Sequence, residues 1–362
     1  MVSIAEVSLT KVDRYYEYSE KDLAIEVYKQ LETKLKERPK PDIIIVSSGY
    51  MESINKSTLS AVKIANYLGF KGAKTLRVEN GDNGGAAIYT AYSFIRSGLA
   101  NSVLLVGIDK FSDLNSKQLN DVLATNLLHE HEYHLGLTNH AYAAILTKLY
   151  MKKYNVSYEY FTNWPIKMHD NAVENPYAYL RFKADLKTIV SSQLVAEPLR
   201  IFDTAARGDG ASIILMTNDE IVKKYTDTPV YLDKISGASF DYSYDLDLPS
   251  LKLALKEINY SLSQNDIIEL HDSYSIIAAL ELEELGLEKG KSLNEFESYQ
   301  VNYSGGLKAR GYPGAATAMY QLAEIVMQLR GDFPGRKAVG EKGIIISTDD
   351  LATSSYVSVL RR

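Results

Sequence analysis

The sequence predicts an α/β fold in which helices cover both faces of mainly parallel or mixed sheets. Four short runs are apolar almost throughout and lack the alternation of a half-exposed strand: residues 42–47, 102–108, 211–216 and 343–347. Unbroken apolar character is typical of central strands that are buried on both faces. Segments with helical periodicity separate these runs, and such alternation is the pattern of an α/β protein.

Six segments have the hydrophobic periodicity of helices. They are residues 20–37, 57–68, 83–97, 249–262, 274–285 and 315–330. We expect Ser57 to cap the second segment, because a serine hydroxyl readily accepts a bond from a backbone N–H at a helix start. Pro249 suits the first turn of the fourth segment, where its missing N–H is not needed.

Two of the predicted helices have almost no charge. Residues 83–95 contain no charged side chain, and residues 315–329 contain only Glu324. A helix that is apolar around its whole circumference belongs in the middle of a large protein. Each of the two follows a glycine-rich turn and precedes an apolar strand, so the same unit occurs once in each half of the chain. We therefore predict duplicated halves in a layered α/β/α/β/α sandwich.

The predicted halves are residues 1–227 and 228–362. The first contains a stretch from about 114 to 199 that breaks the rhythm, because it is polar and rich in His, Asn and Tyr. We interpret this stretch as an insertion of helices and loops over one face of the first half. No proline-rich or low-complexity linker separates the halves, so we expect them to share one core.

The composition excludes several kinds of site. The chain of 362 residues contains no cysteine, which excludes disulfides, cysteine-bound zinc, iron–sulfur clusters and thiolate nucleophiles. The net charge is −6 without a basic block, so a nucleic-acid partner is not expected. The N-terminus lacks an apolar signal core, and the longest apolar runs are far shorter than a membrane span. We expect a cytoplasmic protein with no membrane partner and no redox cofactor.

Several stretches of the chain resemble the thiolase superfamily, in particular its archaeal and sterol-carrier-type members. Residues 77–87 (RVENGDNGGAA) are similar to the thiolase segment that carries the nucleophilic cysteine at the start of a small-residue helix. Residues 269–274 (ELHDSY) resemble the HDxF motif, and residues 301–315 (VNYSGGLKARGYPGA) resemble the NxxGGxxxxGHPxGA motif. Further similar stretches are residues 105–110, 167–172, 175–176 and 198–211. The similarity runs in order from about Val7 to the C-terminus, and it implies a thiolase fold.

The chemical groups of a working thiolase are missing from these motifs. The resemblance places Asp82 where the family has its nucleophilic cysteine, Tyr312 where it has the GHP histidine, and residues 347–352 (STDDLA) where it has a CxGGG turn. Thiolysis requires a cysteine thiolate, a histidine that activates it, and a second cysteine as acid and base. The resemblance therefore implies a protein that binds a coenzyme A thioester, as substrate or ligand, without forming an acyl-enzyme.

The candidate catalytic residues are His271, Tyr312 and Asp82. His271 keeps its family motif, which implies an oxyanion donor or proton carrier with Asp272 beside it; the alternative is a satisfied core histidine. Tyr312 can donate to an enolate oxygen or relay a proton, or it can simply fill space. Asp82 either caps the helix that follows it or also touches the substrate as a base.

Two further features have weaker chemical implications. Gly305, Gly306, Gly311 and Gly314 are candidates for contact with coenzyme A, because glycine lets the backbone approach a pantetheine arm closely, although tight turns need glycine without any ligand. Residues 129–140 (HEHEYHLGLTNH) contain four histidines, but their spacing departs from H-E-x-x-H. A solvated loop or a subunit contact is favoured over a metal site there, so no metal is predicted.

The resemblance leaves three functions open. The first is a lyase that cleaves or forms a carbon–carbon bond of a β-hydroxyacyl-CoA by aldol chemistry, as in the sterol side-chain aldolases, which use tyrosines and no cysteine. The second is a non-catalytic subunit or scaffold bound to a small zinc-ribbon and OB-fold protein that helps to hold acyl-CoA. The third is an acetyl-CoA acetyltransferase assigned by homology alone. The family also implies a homodimer.

Overall fold

The computed structural model describes residues 1–241 and 243–362. The helices in these residues are α1 (Glu20–Lys34), α2 (Met51–Ile54), α3 (Ser60–Tyr67), α4 (Gly85–Arg96), α5 (Ser116–Leu123), α6 (Asn139–Tyr154), α7 (Glu159–Ala172), α8 (Leu186–Val190), α9 (Pro249–Glu257), α10 (Ser275–Glu284), α11 (Ser292–Glu295) and α12 (Thr317–Arg330). The strands are β1 (Val2–Leu9), β2 (Ile43–Ser47), β3 (Lys74–Val78), β4 (Ser102–Asp109), β5 (Leu194–Ala196), β6 (Leu199–Arg200), β7 (Gly210–Asn218), β8 (Val230–Ser239), β9 (Asp266–Glu269), β10 (Gln300–Val301), β11 (Lys342–Thr348) and β12 (Ser354–Arg361).

The predicted elements are present, with some changes at their ends. The four apolar runs form β2, β4, β7 and β11, and each of the six helical segments contains a helix. Helix α9 begins with Pro249, as predicted. The predicted cap at Ser57 is wrong, because α3 begins three residues later, behind Leu59 with a φ of 54° and without any side-chain cap. Helix α1 does have a capping box, in which Ser19 and Asp22 each bond the backbone N–H of the other.

Strand order shows that the two halves are copies of one fold. Ten of the described strands form a mixed sheet in the order β10-β9-β11-β12-β8-β1-β7-β4-β2-β3. Strand β2 is parallel to β3 and β4, while β7 is antiparallel to β4 and β1. Strand β9 is parallel to β10 and β11 in the same way, and β12 is antiparallel to β11 and β8. The halves meet where β1 pairs with β8, with Val2 opposite Leu232.

The two nearly charge-free helices form the middle layer. Helices α4 and α12 contact each other and strands of both halves. Alternate residues of β2 point to opposite sides, so Ile45 packs with the middle helices and Ile44 packs with α1 and α3 on the outside. Helices α9 and α10 share a core with the outer face of the second half. The α/β/α/β/α sandwich predicted from the sequence is confirmed.

The segment between β4 and β7 contains α5 to α8 and the small β5–β6 ribbon. It does not cover the first half alone, because α6 and α7 contact α10 of the second half and α7 also contacts α11. The second set of five strands begins at Val230, but a division into separate domains at residues 227 and 228 stays a prediction.

None of the helices in the described parts of the chain has the length and apolar character that a membrane crossing requires.

Candidate active site

Loops from both halves meet at one end of the sheet. Asp82 lies between β3 and α4, and Tyr312 lies in the turn before α12. His271 follows β9, and Asp350 follows β11. Arg207 belongs to the segment that leads back into β7. Because the carboxyl ends of parallel strands share one edge of a sheet, these residues become neighbours although they are far apart in the sequence.

The Tyr312 hydroxyl is held between two carboxyl groups. It donates a hydrogen bond to Asp82 Oδ2 and lies 3.2 Å from Asp350 Oδ1. All three side chains are fully buried. The main chain fixes the phenol in place, because the Tyr312 N–H donates to Ala206 O and the Gly208 N–H donates to Tyr312 O. A proton can therefore move between the phenol and a carboxylate without any large movement of the chain.

Arg207 supplies the positive charge next to this group. Its Nη2 donates to Asp350 Oδ2, and its Nη1 lies 3.9 Å from Asp82 Oδ2. The guanidinium carbon lies 4.5 Å from the centroid of the Tyr312 ring, within the range of a cation–π contact. Burial opposes ionisation, but the attraction of Arg207 prevails and lowers the pKa of Asp350. Asp350 is thus the carboxylate that stays ionised.

Asp82 has the opposite tendency. Burial raises the pKa of Asp82 to about 8, and the neighbouring Asp350 carboxylate adds to this rise. Burial also raises the pKa of Tyr312 well above its ordinary value. Asp82 therefore gains and loses a proton close to neutral pH, as a general acid or base must. The environment assigns different protonation states to the two carboxyl groups beside Tyr312.

Asp82 does not cap helix α4, so that interpretation of its sequence position is wrong. Among the described residues, its carboxylate has side-chain partners, including Asn126, whose Nδ2 lies 3.4 Å from Asp82 Oδ1. Asn83, the residue after Asp82, bonds the first turn of α4 instead, because its Oδ1 accepts a hydrogen bond from the Gly85 N–H at 3.0 Å. The Asp82 carboxylate is thereby left for Tyr312.

His271 lies against the same phenol. Its ring is edge-on to the Tyr312 ring, with 5.3 Å between centroids and 88° between planes. Burial lowers the pKa of His271 to about 3, so the imidazole is neutral. Within the described residues neither ring nitrogen has a hydrogen-bond partner. A core histidine is normally hydrogen-bonded, whereas a neutral imidazole with a free N–H is suited to donate to a developing oxyanion.

Asp272, in contrast, has a structural role. Its Oδ2 accepts from Trp164 Nε1 at 2.9 Å, and its Oδ1 accepts from the Leu307 N–H at 2.8 Å. Asn302 also donates to it at 3.0 Å and accepts from the Leu270 N–H at 2.6 Å. These bonds join the end of β9 to the turn that carries Tyr312, so they hold His271 and Tyr312 at a fixed separation.

The four candidate glycines all lie in that turn with positive φ, at 101°, 58°, 111° and 54° for Gly305, Gly306, Gly311 and Gly314. A Cβ atom on each would collide with protein atoms of, respectively, Ala172, Asp272, Val12 and Asp109. The missing side chains therefore allow close packing of the turn. Contact of these glycines with coenzyme A stays a prediction.

A cleft of about 530 Å³ at the surface of the insertion reaches Arg207, and the buried side chains that Arg207 contacts lie behind the cleft wall. Arg207, Lys308 and His140 line its inner end, and Phe182 and Arg14 line its exposed part. Its size and mixed apolar and polar wall are typical of a small-molecule site. Another groove of about 690 Å³ lies where β2, β3 and β4 begin, at the opposite edge of the sheet, and contains none of the candidate residues.

Sequence reasoning missed several residues of the site. Arg207 and Asp350 lie in stretches already compared with the family, but nothing in their spacing indicates that they pair with each other. Tyr274 is buried and its hydroxyl lies 3.0 Å from His140 Nδ1, which adds a second tyrosine beside the cleft. Tyr50 joins the group through Asn126, which donates to its hydroxyl at 3.0 Å.

The histidine-rich stretch lies elsewhere. His129 and His134 contact each other on an exposed turn, with 4.4 Å between ring centroids and 58° between ring planes, while His140, at the end of the stretch, lies in the cleft. In the described residues, no group of three or more His, Cys, Asp and Glu side chains is arranged to hold a metal ion.

Comparisons with known proteins agree with this architecture. Residues 249–362 match the family described as thiolase C-terminal domain-like. An acetyl-CoA acetyltransferase of Methanothermobacter thermautotrophicus is 31% identical over 296 residues, which cover 76% of this chain and 77% of that protein. Sterol carrier protein 2 of Oryctolagus cuniculus is 28% identical over 79% of this chain, which corresponds to 58% of the longer rabbit protein.

A solved structure described as the Ltp2-ChsH2(DUF35) aldolase superposes with a TM-score of 0.83. The alignment covers 99% of this chain and 97% of that chain, at 19% sequence identity. At this level of identity the likeness concerns the fold.

Proposed function

The chain belongs to the thiolase superfamily, and from that premise we propose that it cleaves a β-hydroxyacyl-CoA by retro-aldol chemistry. The observation that carries this proposal is the Tyr312 hydroxyl held between Asp82 and Asp350, with the neutral His271 against its ring. The proposal needs no acyl-enzyme, in agreement with a chain that has no cysteine. It also requires the acyl-CoA to enter through the cleft that ends at Arg207.

In the proposed reaction, Tyr312 takes the proton of the substrate β-hydroxyl while it passes its own proton to the Asp82 carboxylate. The Cα–Cβ bond breaks, a carbonyl forms at Cβ, and the bonding electrons move onto the thioester as an enolate. The free N–H of His271 donates to the enolate oxygen. Cα then gains a proton in exchange for the one that left the hydroxyl, and the products are a shorter acyl-CoA and an aldehyde or ketone.

The test is turnover of a synthetic β-hydroxyacyl-CoA, with the shorter acyl-CoA measured by liquid chromatography and mass spectrometry and the carbonyl product trapped as a hydrazone. Tyr312→Phe should lower kcat by about 100-fold or more, because acid–base catalysis contributes about 10²–10⁴. Tyr150→Phe is the matched control, since Tyr150 is also a buried phenol bonded to a carboxylate, that of Glu283, away from the site.

The competing function is a non-catalytic subunit. It would be supported if the wild-type protein binds acyl-CoA but releases no product, alone and in the presence of a partner. Equal turnover by wild-type protein and Tyr312→Phe would contradict the proposed chemistry. Residual acetyl-CoA acetyltransferase activity is not expected, because no side chain can form the acyl-thioester intermediate.

We also propose two protein partners. The first is a small zinc-ribbon and OB-fold protein, which the presence of a second component, ChsH2, in the similar aldolase structure supports. The second is another copy of this chain, since β3 is an edge strand whose Leu76 is 37% exposed and edges of this kind favour pairing. Light scattering of the purified chain tests the dimer. Co-purification with a small zinc-ribbon and OB-fold protein tests the other partner.

A further inference from the structure

The inner end of the cleft has an unusual charge for this protein. The chain carries a net charge of −6, yet Arg207 and Lys308 line the inner end of the cleft, Arg14 lines its exposed part, and its wall contains no aspartate or glutamate among the described residues. Asp82 and Asp350 lie behind the wall, fully buried. A ligand in the cleft therefore meets cations and neutral groups at its surface, and since Asp350 pairs with Arg207 from behind the wall, Lys308 is the cation that attracts an anion there.

Lys308 is the cation with spare hydrogen-bonding capacity. Its side chain is almost fully buried, and Nζ donates to Asp203 O at 2.7 Å and to Ser273 O at 3.0 Å. An ammonium group has three donors, and within the described residues these two carbonyls are its hydrogen-bond acceptors. Nearby, Arg207 Nη1 is buried and also lacks a hydrogen-bond acceptor among the described residues. Lys308 therefore has one donor left for a ligand, while Arg207 Nη1 lies 3.9 Å from Asp82 Oδ2 in an ion pair without a hydrogen bond.

The position of these donors limits what the ligand can be. Lys308 and Arg207 lie at the catalytic end, since Ser273 is two residues from His271 and Arg207 covers the Tyr312 ring. The phosphates of coenzyme A are separated from the thioester by the whole pantetheine arm. They cannot reach this end while the thioester lies beside Tyr312, so, apart from the transient enolate of the proposed reaction, an anion bound here has to belong to the acyl group.

We propose that the site selects acyl-CoA substrates whose acyl group carries a carboxylate, which Lys308 binds together with Arg207. This inference rests on the proposed function, because it assumes that the thioester is bound at Tyr312. It gives Lys308 a role in specificity: an apolar acyl end would leave the remaining donor of Lys308 without an acceptor, whereas a carboxylate satisfies it. The substrate class is therefore β-hydroxy dicarboxylic acyl thioesters.

The test compares two ligands that differ only at the end of the acyl chain. Succinyl-CoA and butyryl-CoA have the same chain length, but one ends in a carboxylate and the other in a methyl group. Calorimetric titration of the wild-type protein should give a dissociation constant at least about tenfold lower for succinyl-CoA, as expected for a charge-assisted hydrogen bond in a buried site. Equal affinities would overturn the proposed selectivity and leave the binding of coenzyme A thioesters intact. Failure of both ligands to bind would overturn the proposed function as well.

Variants distinguish the contribution of Lys308 to this selectivity from that of the other cleft residues. Lys308→Gln should reduce the preference to near one, chiefly by weakening the binding of succinyl-CoA, and Lys308→Arg, which keeps the charge, should retain most of the preference. Arg14→Gln, at the exposed part of the same cleft, is the control and should change both affinities equally. A preference that persists in Lys308→Gln would contradict the assignment. If that variant does not fold, the wild-type comparison still decides whether the selectivity exists.

Discussion

At the scale of single residues, the site depends on proton exchange between Tyr312 and Asp82 next to the ionised Asp350. Asp350 is committed to Arg207, which lowers the pKa of Asp350 against the effect of burial. Burial raises the pKa of Asp82 to about 8. Asp82 is consequently the group that can accept a proton from Tyr312 and release it again at physiological pH.

This difference predicts a pH dependence of catalysis. Only the carboxylate form of Asp82 accepts the proton that Tyr312 passes on, so kcat/KM should rise with pH and reach half its maximum near pH 8. Asp82→Asn should lower kcat by about 100-fold or more and remove the rise, because the amide is no base. The measurement is a pH–rate profile of both proteins with a β-hydroxyacyl-CoA. A profile of the same shape in Asp82→Asn would exclude Asp82 as the titrating base.

The same pKa predicts an effect on stability. A carboxyl group keeps its proton in the folded state up to about pH 8 but loses it near pH 4 when the chain is unfolded. Between these values the folded state binds more protons, so stability falls as pH rises, by up to about 1.4 kcal/mol per pH unit from this group. The free energy of unfolding of Asp82→Asn, measured with urea, should therefore fall less steeply between pH 5 and pH 8 than that of the wild-type protein. Parallel curves for the two proteins would contradict the assigned pKa.

The three candidate catalytic residues lie in short motifs that resemble the thiolase superfamily, and the structure brings them together, while their catalytic roles stay predictions. Asp82 and Tyr312 stand at the starts of two nearly charge-free helices, and His271 follows an apolar strand. Arg207 and Asp350 could not be predicted, since their ion pair joins positions 143 residues apart. Local patterns carry information about turns and helix starts, but a contact of this kind exists only after the two halves have packed together.

At the scale of elements, the turn before α12 is held by a buried ion pair. Arg310 Nε lies 3.3 Å from Glu324 Oε1, both side chains are fully buried, and Arg310 Nη1 donates to Gly311 O at 2.8 Å. Burial raises the pKa of Glu324 to about 7. The pair joins the turn of Tyr312 to the helix that follows it, so it fixes the position of the Tyr312 phenol.

Removing one partner of this pair should be more harmful than removing both. Arg310→Met leaves the Glu324 carboxyl buried without its cation and should destabilise the protein by about 3–5 kcal/mol. The double variant Arg310→Met/Glu324→Leu should recover most of that loss, because it leaves no unpaired charge. Urea unfolding of the single and double variants tests this. Additive losses would mean that the two side chains do not depend on each other.

The fold was easier to predict for strands that are apolar throughout than for strands that polar residues interrupt. The runs that form β2, β4, β7 and β11 are apolar on both faces, which identifies them without knowledge of their neighbours. Strands β1, β8 and β12 were not predicted, since polar residues interrupt them, as in Ser3, Glu6 and Ser8 of β1. These polar side chains are buried only because other parts of the chain cover them, as Gln30 does by accepting from the Ser8 hydroxyl at 3.0 Å.

Helices α4 and α12 approach each other closely, and this predicts a steric effect. A Cβ atom on Gly84 would lie 2.0 Å from Ala315 O, although the φ of Gly84 is an ordinary −70°. Gly84→Ala should therefore destabilise the protein by about 1–3 kcal/mol through overpacking. Gly98→Ala is a useful comparison, because Gly98 has open space around it and only a positive φ of 75°, for which about 1 kcal/mol is expected. Thermal unfolding should rank Gly84→Ala as the less stable variant.

At the scale of the whole molecule, the two halves are joined by more than their shared sheet. Asp109 Oδ2 at the end of β4 accepts from the Ala315 N–H at 2.8 Å and from the Gly49 N–H at 3.1 Å. Burial raises the pKa of Asp109 to about 6. The start of α12 is thus bonded to the first half, and the middle layer has no surface at which the halves could separate without exposing apolar helices.

We therefore predict that the chain unfolds as one unit despite its duplicated fold. Calorimetry should give a single transition whose calorimetric and van't Hoff enthalpies agree, and residues 228–362 expressed alone should stay unfolded, because α12 would lose its contacts with β1, β4 and β7. Gly84→Ala should move that single transition instead of splitting it, since it disturbs the layer common to both halves. Two separate transitions, or a folded fragment, would instead establish residues 1–227 and 228–362 as independent domains, and Tyr312 would then be held by an interface between domains that could open.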